Sequence, residues 1–373
     1  MSEIRGNTVE IEVRWPPFDS DSVIASELPI ARESFLLQEN ADPPCESSIG
    51  DKNGFHISRR ITQSNSKADD LRDWMTLDSR IPNRILRSRT GWFITPSALH
   101  RFARKLIPYA VVGIIASLAI HAFEPALVES GIVDGSFAGS VRLGLLDYPV
   151  LLIIFLPIFF VPIMLRFCAS IWDYRRTRKF RLDQPMSPDI SLEKQPTTSS
   201  SLKMNVNFPE VRPNWISANA RLQVGLLNPR RPMLLHALGR KEGLQNPPGI
   251  STPLAVRQYT ESELGTGFGE STPLQGPDSE RLFLTPLRVL SRGEKIDISF
   301  EGGAVTLDLP EGDWPGSEYH PLFGSHWEIL IHIERDGDGP LLFVEPIIMN
   351  HDGSPCEISE MPVLSGRSEY DES

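Results

Sequence analysis

Cysteine is scarce in this chain: Cys45, Cys168 and Cys356 are the only three among 373 residues. An odd number at such spacing builds neither a disulfide framework nor a zinc site, and it suits parts kept in a reducing compartment. Positive charge is short as well. A formal net charge of -11 argues against a nucleic-acid partner, because neutralising phosphates requires a basic face. The start, Met-Ser-Glu-Ile-Arg-Gly-Asn, has no apolar stretch, so no cleavable signal peptide is expected. A phosphate-cradling loop is missing too. Gly265-Thr-Gly267-Phe-Gly269 has no lysine, no following helix, and Glu263 and Glu270 as repelling neighbours, so it reads as an ordinary loop. No catalytic signature is present, and no catalytic, cofactor-binding or metal-binding residue is assigned.

Long apolar runs, by contrast, are present. Residues 106–123 and 148–168 can each cross a hydrocarbon core of roughly 30 Å as a helix rising about 1.5 Å per residue. The 24 residues between the helices, 124–147, are too few for a domain. The expected fold class is therefore α+β, a two-helix transmembrane hairpin plus a cytoplasmic antiparallel β-sandwich. Charge sets the orientation. From Arg72 to Lys105 there are eight Lys or Arg against Asp73 and Asp78, and from Arg166 to Arg181 six against Asp173. The intervening loop has Arg142 against Glu124, Glu129, Asp134 and Asp147. Basic outer flanks predict a multi-pass protein of the cell membrane with both termini cytoplasmic. Neither run holds a deep charge, which argues against an ion relay. His121 lies near the outer end of the first run and reads as interfacial. Pro157 and Pro162 should bend the second.

The soluble parts divide by composition. Residues 1–70 read as an acidic, largely irregular segment with one strand at 8–15, where Val9, Ile11, Val13 and Trp15 alternate with Thr8, Glu10, Glu12 and Arg14. The following ninety residues offer no strand of similar quality, so this one is expected to add to the C-terminal β-domain. Residues 71–105 form a basic juxtamembrane segment, with a short helix at 68–77. There Arg80, Arg84, Arg87 and Arg89 mix with Trp92 and Phe93, as on an anionic membrane surface. Thr95 and Pro96 are the expected cap and first residue of the first span. The spans and their loop make up 106–172. Residues 173–204 read as a basic, then Pro- and Ser-rich, flexible linker. Residues 205–350 carry short β-like runs at 221–227, 232–238, 254–259, 281–290, 295–300, 304–309, 326–334 and 341–349, the pattern of a sandwich. Residues 351–373 read as a disordered acidic tail.

Three spots within 205–350 invite a site. Gly302-Gly303 predicts a two-residue hairpin turn that places Phe300 opposite Val305 and Ile298 opposite Leu307. It also pairs Asp297 with Asp308, a candidate cation site weighed against a solvated sheet face. The strand 326–334 has Trp327, Ile329, Ile331 and Ile333 on one face and His326, Glu328, Leu330, His332 and Glu334 on the other. Residues two apart in a strand lie roughly 7 Å apart on one side, so His326 with Glu328, or His332 with Glu334, could chelate a metal. The plainer reading is an outward polar face. Asp336-Gly337-Asp338-Gly339 lacks the spacing of a calcium loop and reads as a turn.

The order Ser291-Arg-Gly-Glu-Lys-Ile-Asp-Ile-Ser-Phe300, then Leu309-Pro-Glu-Gly, then Trp327-Glu-Ile-Leu-Ile-His-Ile-Glu334 resembles that of arrestin-like β-sandwich domains. The resemblance implies a cytoplasmic interaction or trafficking adaptor without catalysis, and it transfers no functional residue. The expected role is a membrane-anchored adaptor or scaffold whose partners are the lipid bilayer and a cytoplasmic or membrane protein. The alternative is an accessory or pore-forming subunit of a membrane transport complex.

Overall fold

A computed structural model describes residues 6–15, 24–37, 45–64, 72–73, 86, 89–95, 97–132, 140–227, 231–241, 287–320, 322–351, 353 and 355–359. The chain is mixed α+β, with several mainly antiparallel sheets and two long apolar helices. It divides into one unit of Met1–Thr95 and Met186–Ser373 and a second of Pro96–Pro185.

The first strand, β1 (Gly6–Arg14), has the expected alternation: Val9, Ile11, Val13 and the subsequent Trp15 are buried, while Glu10 is exposed. The segment after it is richer in strands than its composition suggests. Strands β2 (Ala31–Leu36), β3 (Ser47–Gly50), β4 (His56–Ser64) and β5 (Arg72–Asp73) form, and β1 runs antiparallel between β2 and β4. Charge on the inner face disguises these strands. Opposite Val9, Ile11 and Val13, β4 presents Ile61, Arg59 and Ile57, and Glu33 of β2 also faces Ile11. A charged residue in the middle of an apolar alternation hides its period. Residues 72–73, expected to be helical, belong to β5, and the rest of 68–77 lies outside the described residues. A further strand, β6 (Gly91–Ile94), buries Trp92 and Phe93, so these rings are core rather than membrane-surface groups. Arg80, Arg84 and Arg87 lie outside the described residues.

Helix α1 (Ala98–Ala122) begins two residues later than expected. Its cap is Ser97, whose side chain accepts from the Leu99 N–H at 3.3 Å, whereas the Thr95 hydroxyl donates to the Pro340 carbonyl. A short helix α2 (Glu124–Glu129) and a hairpin of β7 (Ser140–Leu143) and β8 (Leu146–Pro149) come after it. Gly144 takes φ +69° in the two-residue turn, and Arg142 sits opposite Asp147. Helix α3 (Val150–Leu182) holds Pro157 and Pro162 and continues through the basic cluster. Both long helices have the length and apolarity to cross a membrane. They pack on each other through small residues: Ala103, Ala110 and Ser117 recur every seven positions on the buried stripe of α1, and a Cβ on Gly113 would lie 2.8 Å from the Phe155 ring. That period is the one that keeps a single seam facing a partner helix.

The expected flexible linker is also structured. Strand β9 (Asp189–Leu192) starts soon after α3 and pairs with β10 (Leu202–Asn207), setting Ile190 against Val206 and Leu192 against Met204. Two alternating apolar residues suffice once a partner strand is present. After β11 (Trp215–Leu227), residues 232–238 form no strand but helix α4 (Arg231–Ala237) and its cap. Proline near the start and Gly239 at φ +64° after the end are helix punctuation. The Arg240 N–H reaches the Leu235 carbonyl at 2.8 Å and the Gly239 N–H that of His236 at 2.9 Å, closing a Schellman motif.

Strands β12 (Arg288–Arg292), β13 (Ile296–Ile298) and β14 (Gly303–Leu307) come next. The expected run 254–259 lies outside the described residues. The hairpin expected at Gly302-Gly303 does not form. The Gly302 N–H closes a turn onto the Ser299 carbonyl at 3.1 Å, after which β13 pairs with β11 and β14 with β10, in different sheets. Gly302 suits this crossing because its φ is +83° and a Cβ there would lie 2.8 Å from the Val206 carbonyl oxygen. Strands β15 (Glu318–Tyr319), β16 (Gly324–Arg335) and β17 (Leu341–Ile347) complete a seven-stranded sheet ordered β12-β11-β16-β17-β6, with β13 on β11 and β15 on β16. Thus the N-terminal segment that joins this sheet is β6, not β1. In return β18 (Cys356–Ile358), within the stretch expected to be a disordered tail, pairs in parallel with β3 and extends the N-terminal sheet.

Candidate functional site

The core face of β16 is as its period predicts: Trp327, Ile329, Ile331 and Ile333 are buried. The opposite face is not solvated where His326 and Glu328 stand, since both are 0% exposed. Gln223, directly across on β11, donates to Glu328 Oε2 at 3.1 Å. The Arg89 guanidinium grips the same carboxylate, with Nη2 3.0 Å from Oε2 and Nε on Oε1. His326 Nε2 lies 2.8 Å from Oε1, and because a carboxylate only accepts, that nitrogen carries a proton. Tyr319 Oη completes the chain 3.0 Å from His326 Nδ1. Burial alone would raise the Glu328 pKa, but Arg89 and His326 outweigh it and hold the carboxyl well below its usual range. Burial, reinforced by Glu328, pushes the Tyr319 phenol up.

A second buried pair stands nearby in the chain. Arg59 of β4, 2% exposed, binds Glu318 of β15 and donates to the Cys45 carbonyl. Burial raises the Glu318 pKa, and Arg59 offsets this only in part. His320 accepts the Leu322 N–H on Nδ1 at 3.1 Å, with the Phe35 ring edge-on at 4.9 Å; burial, then Arg59, pushes it down to about 3. Cys356 donates its thiol hydrogen to the Asp313 carbonyl at 2.6 Å. Burial, and after it Asp313, Cys45 and Glu318, push this thiol up to about 12, so it is an unreactive one.

In both pairs the arginine precedes the apolar helices in sequence and the glutamate comes after them. Each closes a loop of more than two hundred residues and fastens the N-terminal strands to the C-terminal sheets. A His–Glu couple is general-base chemistry when open to a substrate. Here it is sealed, and a guanidinium occupies the place a metal would take on the carboxylate. Among the described residues, no three His, Cys, Asp or Glu side chains converge as a metal site would require. His332 is half-buried and Glu334 exposed, the latter accepting from the Ser217 hydroxyl at 3.3 Å. Asp297 faces Asn219 and not Asp308, so that acidic pair does not exist. The segment 336–339 is the turn between β16 and β17, and His121 sits exposed in the last turn of α1. Sequence reasoning missed Arg89, Gln223, Tyr319, Arg59 and Glu318. The one local signal was Ile57-Ser-Arg59-Arg-Ile61, a charge at an apolar position, which asks for a buried counter-charge.

The helical unit has its own polar contact. Asp173 of α3, 5% exposed, accepts the Ser97 N–H on both oxygens at 3.1 Å and lies 3.2 Å from His100 Nε2. A carboxylate at the start of α1 meets unpaired N–H groups and the positive end of the helix dipole. The lone acid of the second basic flank is therefore the clasp of the antiparallel pair. No protein-family model matches this chain, and no curated protein matches its sequence.

Proposed function

We propose that this chain is a membrane-anchored, cytoplasmic protein-interaction module that works without catalysis. In this reading α1 and α3 are a transmembrane hairpin, and the strands before and after them make an arrestin-like β-sandwich unit that recruits a protein partner. The observation that carries it is the outer surface of the helix pair. Val112, Ile115 and Leu118 on α1 and Ile154, Phe160, Ile163 and Phe167 on α3 are exposed along neighbouring helices. Apolar surface of that extent suits hydrocarbon and not water. In this reading both termini are cytoplasmic, which the basic outer flanks and the acidic loop between the helices support. Support for an adaptor over an enzyme comes from the buried polar groups, which are closed to solvent and bind each other.

Alkaline extraction of membranes, reporters fused at Met1 and at Ser373, and affinity purification from the native membrane test the proposal together. Retention in the bilayer, cytoplasmic signals from both reporters and a co-purifying protein are expected. Release by alkali, or turnover of a substrate with no partner recovered, would sink it. Pro157 and Pro162 inside α3 favour one second reading, a subunit of a membrane transport complex. Unchanged flux in Pro157→Ala/Pro162→Ala removes its basis.

A further inference from the structure

We infer that the basic end of the helix pair binds the headgroups of anionic phospholipids, an inference that rests on the membrane reading of α1 and α3. At about 1.5 Å per residue, the 33 residues of α3 span roughly 50 Å, well beyond a hydrocarbon core of about 30 Å. The excess is not apolar. It holds Arg175, Arg176, Arg178, Lys179 and Arg181 within the helix, and the first turns of α1 hold Arg101, Arg104 and Lys105. The Asp173 clasp joins these two basic ends, because it ties the start of α1 to the same part of α3.

Three features turn a topology signal into a surface. Arg175, Arg178 and Lys179 are exposed and spaced i, i+3, i+4, so they share one stripe. By helical period that stripe points away from the buried Ala169, Asp173 and Phe180. Trp172, 60% exposed, continues the stripe toward the apolar span, where an amphipathic ring rests at headgroup level. Asp173, the acid amid these cations, caps α1 and accepts from Arg176 at 3.5 Å, so its charge is turned to the helix seam and not to the stripe of Arg175, Arg178 and Lys179. The occupant that fits is a phosphate group fixed at the membrane boundary. Each Lys or Arg near an anionic surface contributes roughly fivefold in association. The segment whose composition offered it for this role has Arg89, Trp92 and Phe93 buried.

The full chain, reconstituted in vesicles of equimolar phosphatidylcholine and phosphatidylglycerol, is probed by electron paramagnetic resonance with each lipid spin-labelled in turn. Several-fold selectivity for phosphatidylglycerol in the motionally restricted boundary lipid is expected. It should fall toward unity in Arg175→Gln/Arg178→Gln/Lys179→Gln and persist in Arg175→Lys/Arg178→Lys, which keeps the charge. Inorganic phosphate should compete no better than chloride of equal ionic strength. Restricted lipid without selectivity, selectivity unmoved by the glutamine variant, or displacement by free phosphate overturns the inference while leaving the anchor intact. Failure to find any restricted lipid overturns both.

Discussion

Strand β16 carries histidine–apolar–glutamate twice, as His326-Trp-Glu328 and as His332-Ile-Glu334. The two copies lie on the same face of the same strand. At the first, both side chains are fully buried and joined at 2.8 Å, with Arg89, Gln223 and Tyr319 closing the network. At the second, the glutamate is exposed and takes a hydroxyl from Ser217. Residue type and spacing are identical, so neither decides the outcome. The difference is a counter-charge: Arg89 reaches Glu328 from 239 residues away. Desolvating a carboxylate costs several kcal/mol unless such a partner arrives with it.

The sharpest break of this comparison is Arg89→Ala, which leaves Glu328 buried and uncompensated. It should destabilise the full chain by ~3–5 kcal/mol in denaturant titrations followed by tryptophan fluorescence in micelles. Replacing both partners, as Arg89→Met/Glu328→Leu, should recover only part of that loss, because the buried His326 Nε2–H and the Gln223 amide still lose their acceptor. If Arg89→Ala proves no worse than Glu334→Ala, the two copies are not energetically distinct.

Acid separates the buried groups further. His320 is pushed down to about 3 in the folded chain, so between that value and its unfolded pKa near 6.5 the unfolded state binds more protons. The share of stability linked to His320 is therefore complete above about pH 6.5 and falls with acidification by up to ~1.4 kcal/mol per pH unit, or ~2 kcal/mol by pH 5. His320→Asn, which keeps an acceptor for the Leu322 N–H, should flatten that slope in stability measured against pH. Glu328 has the opposite cause and a lower window. Its depressed pKa stabilises above the unfolded value near 4.5 and loses that contribution only as pH drops below it.

Asp173 asks whether a charge at a helix start obeys the sheet's rule. Removing it strands N–H groups and forfeits the dipole interaction, so Asp173→Ala should cost ~1–2 kcal/mol, read as a lower Tm of the full chain in detergent. A loss as large as that of Arg89→Ala would show that the clasp also holds the hairpin together. The smallest effect belongs to the exposed copy on β16. Glu334→Ala should stay within ~0.5 kcal/mol in the same titration, and a larger cost would mean that its bond to Ser217 bears on the pairing of β11 with β16.

Periodicity found the faces of β1 and the core face of β16 because apolar residues there alternate without interruption. It failed on β2 and β4, where Glu33 and Arg59 occupy inward positions opposite Ile11. It failed on α4 because a seven-residue leucine-bearing run suits strand and helix alike, although Pro232 and Gly239 marked the ends. The Gly302-Gly303 hairpin failed for another reason. Cross-strand complementarity between β13 and β14 was good locally, but β11 and β10 offered each strand a longer partner.

By itself the sequence determined two helices of bilayer-crossing length, the basic and acidic character of their flanks, and the strand character of the segments around them. These are properties of short windows, set by side-chain transfer free energy and backbone period. Only the tertiary structure decided which charges are inside. Arg59 and Glu318, or Arg89 and Glu328, each lie in windows that read as ordinary surface, and either member alone would be expelled to water. They are buried because the fold brings the two together; a window such as 57–61 can show that a charge sits at an inward position, but not which residue more than two hundred positions away will meet it.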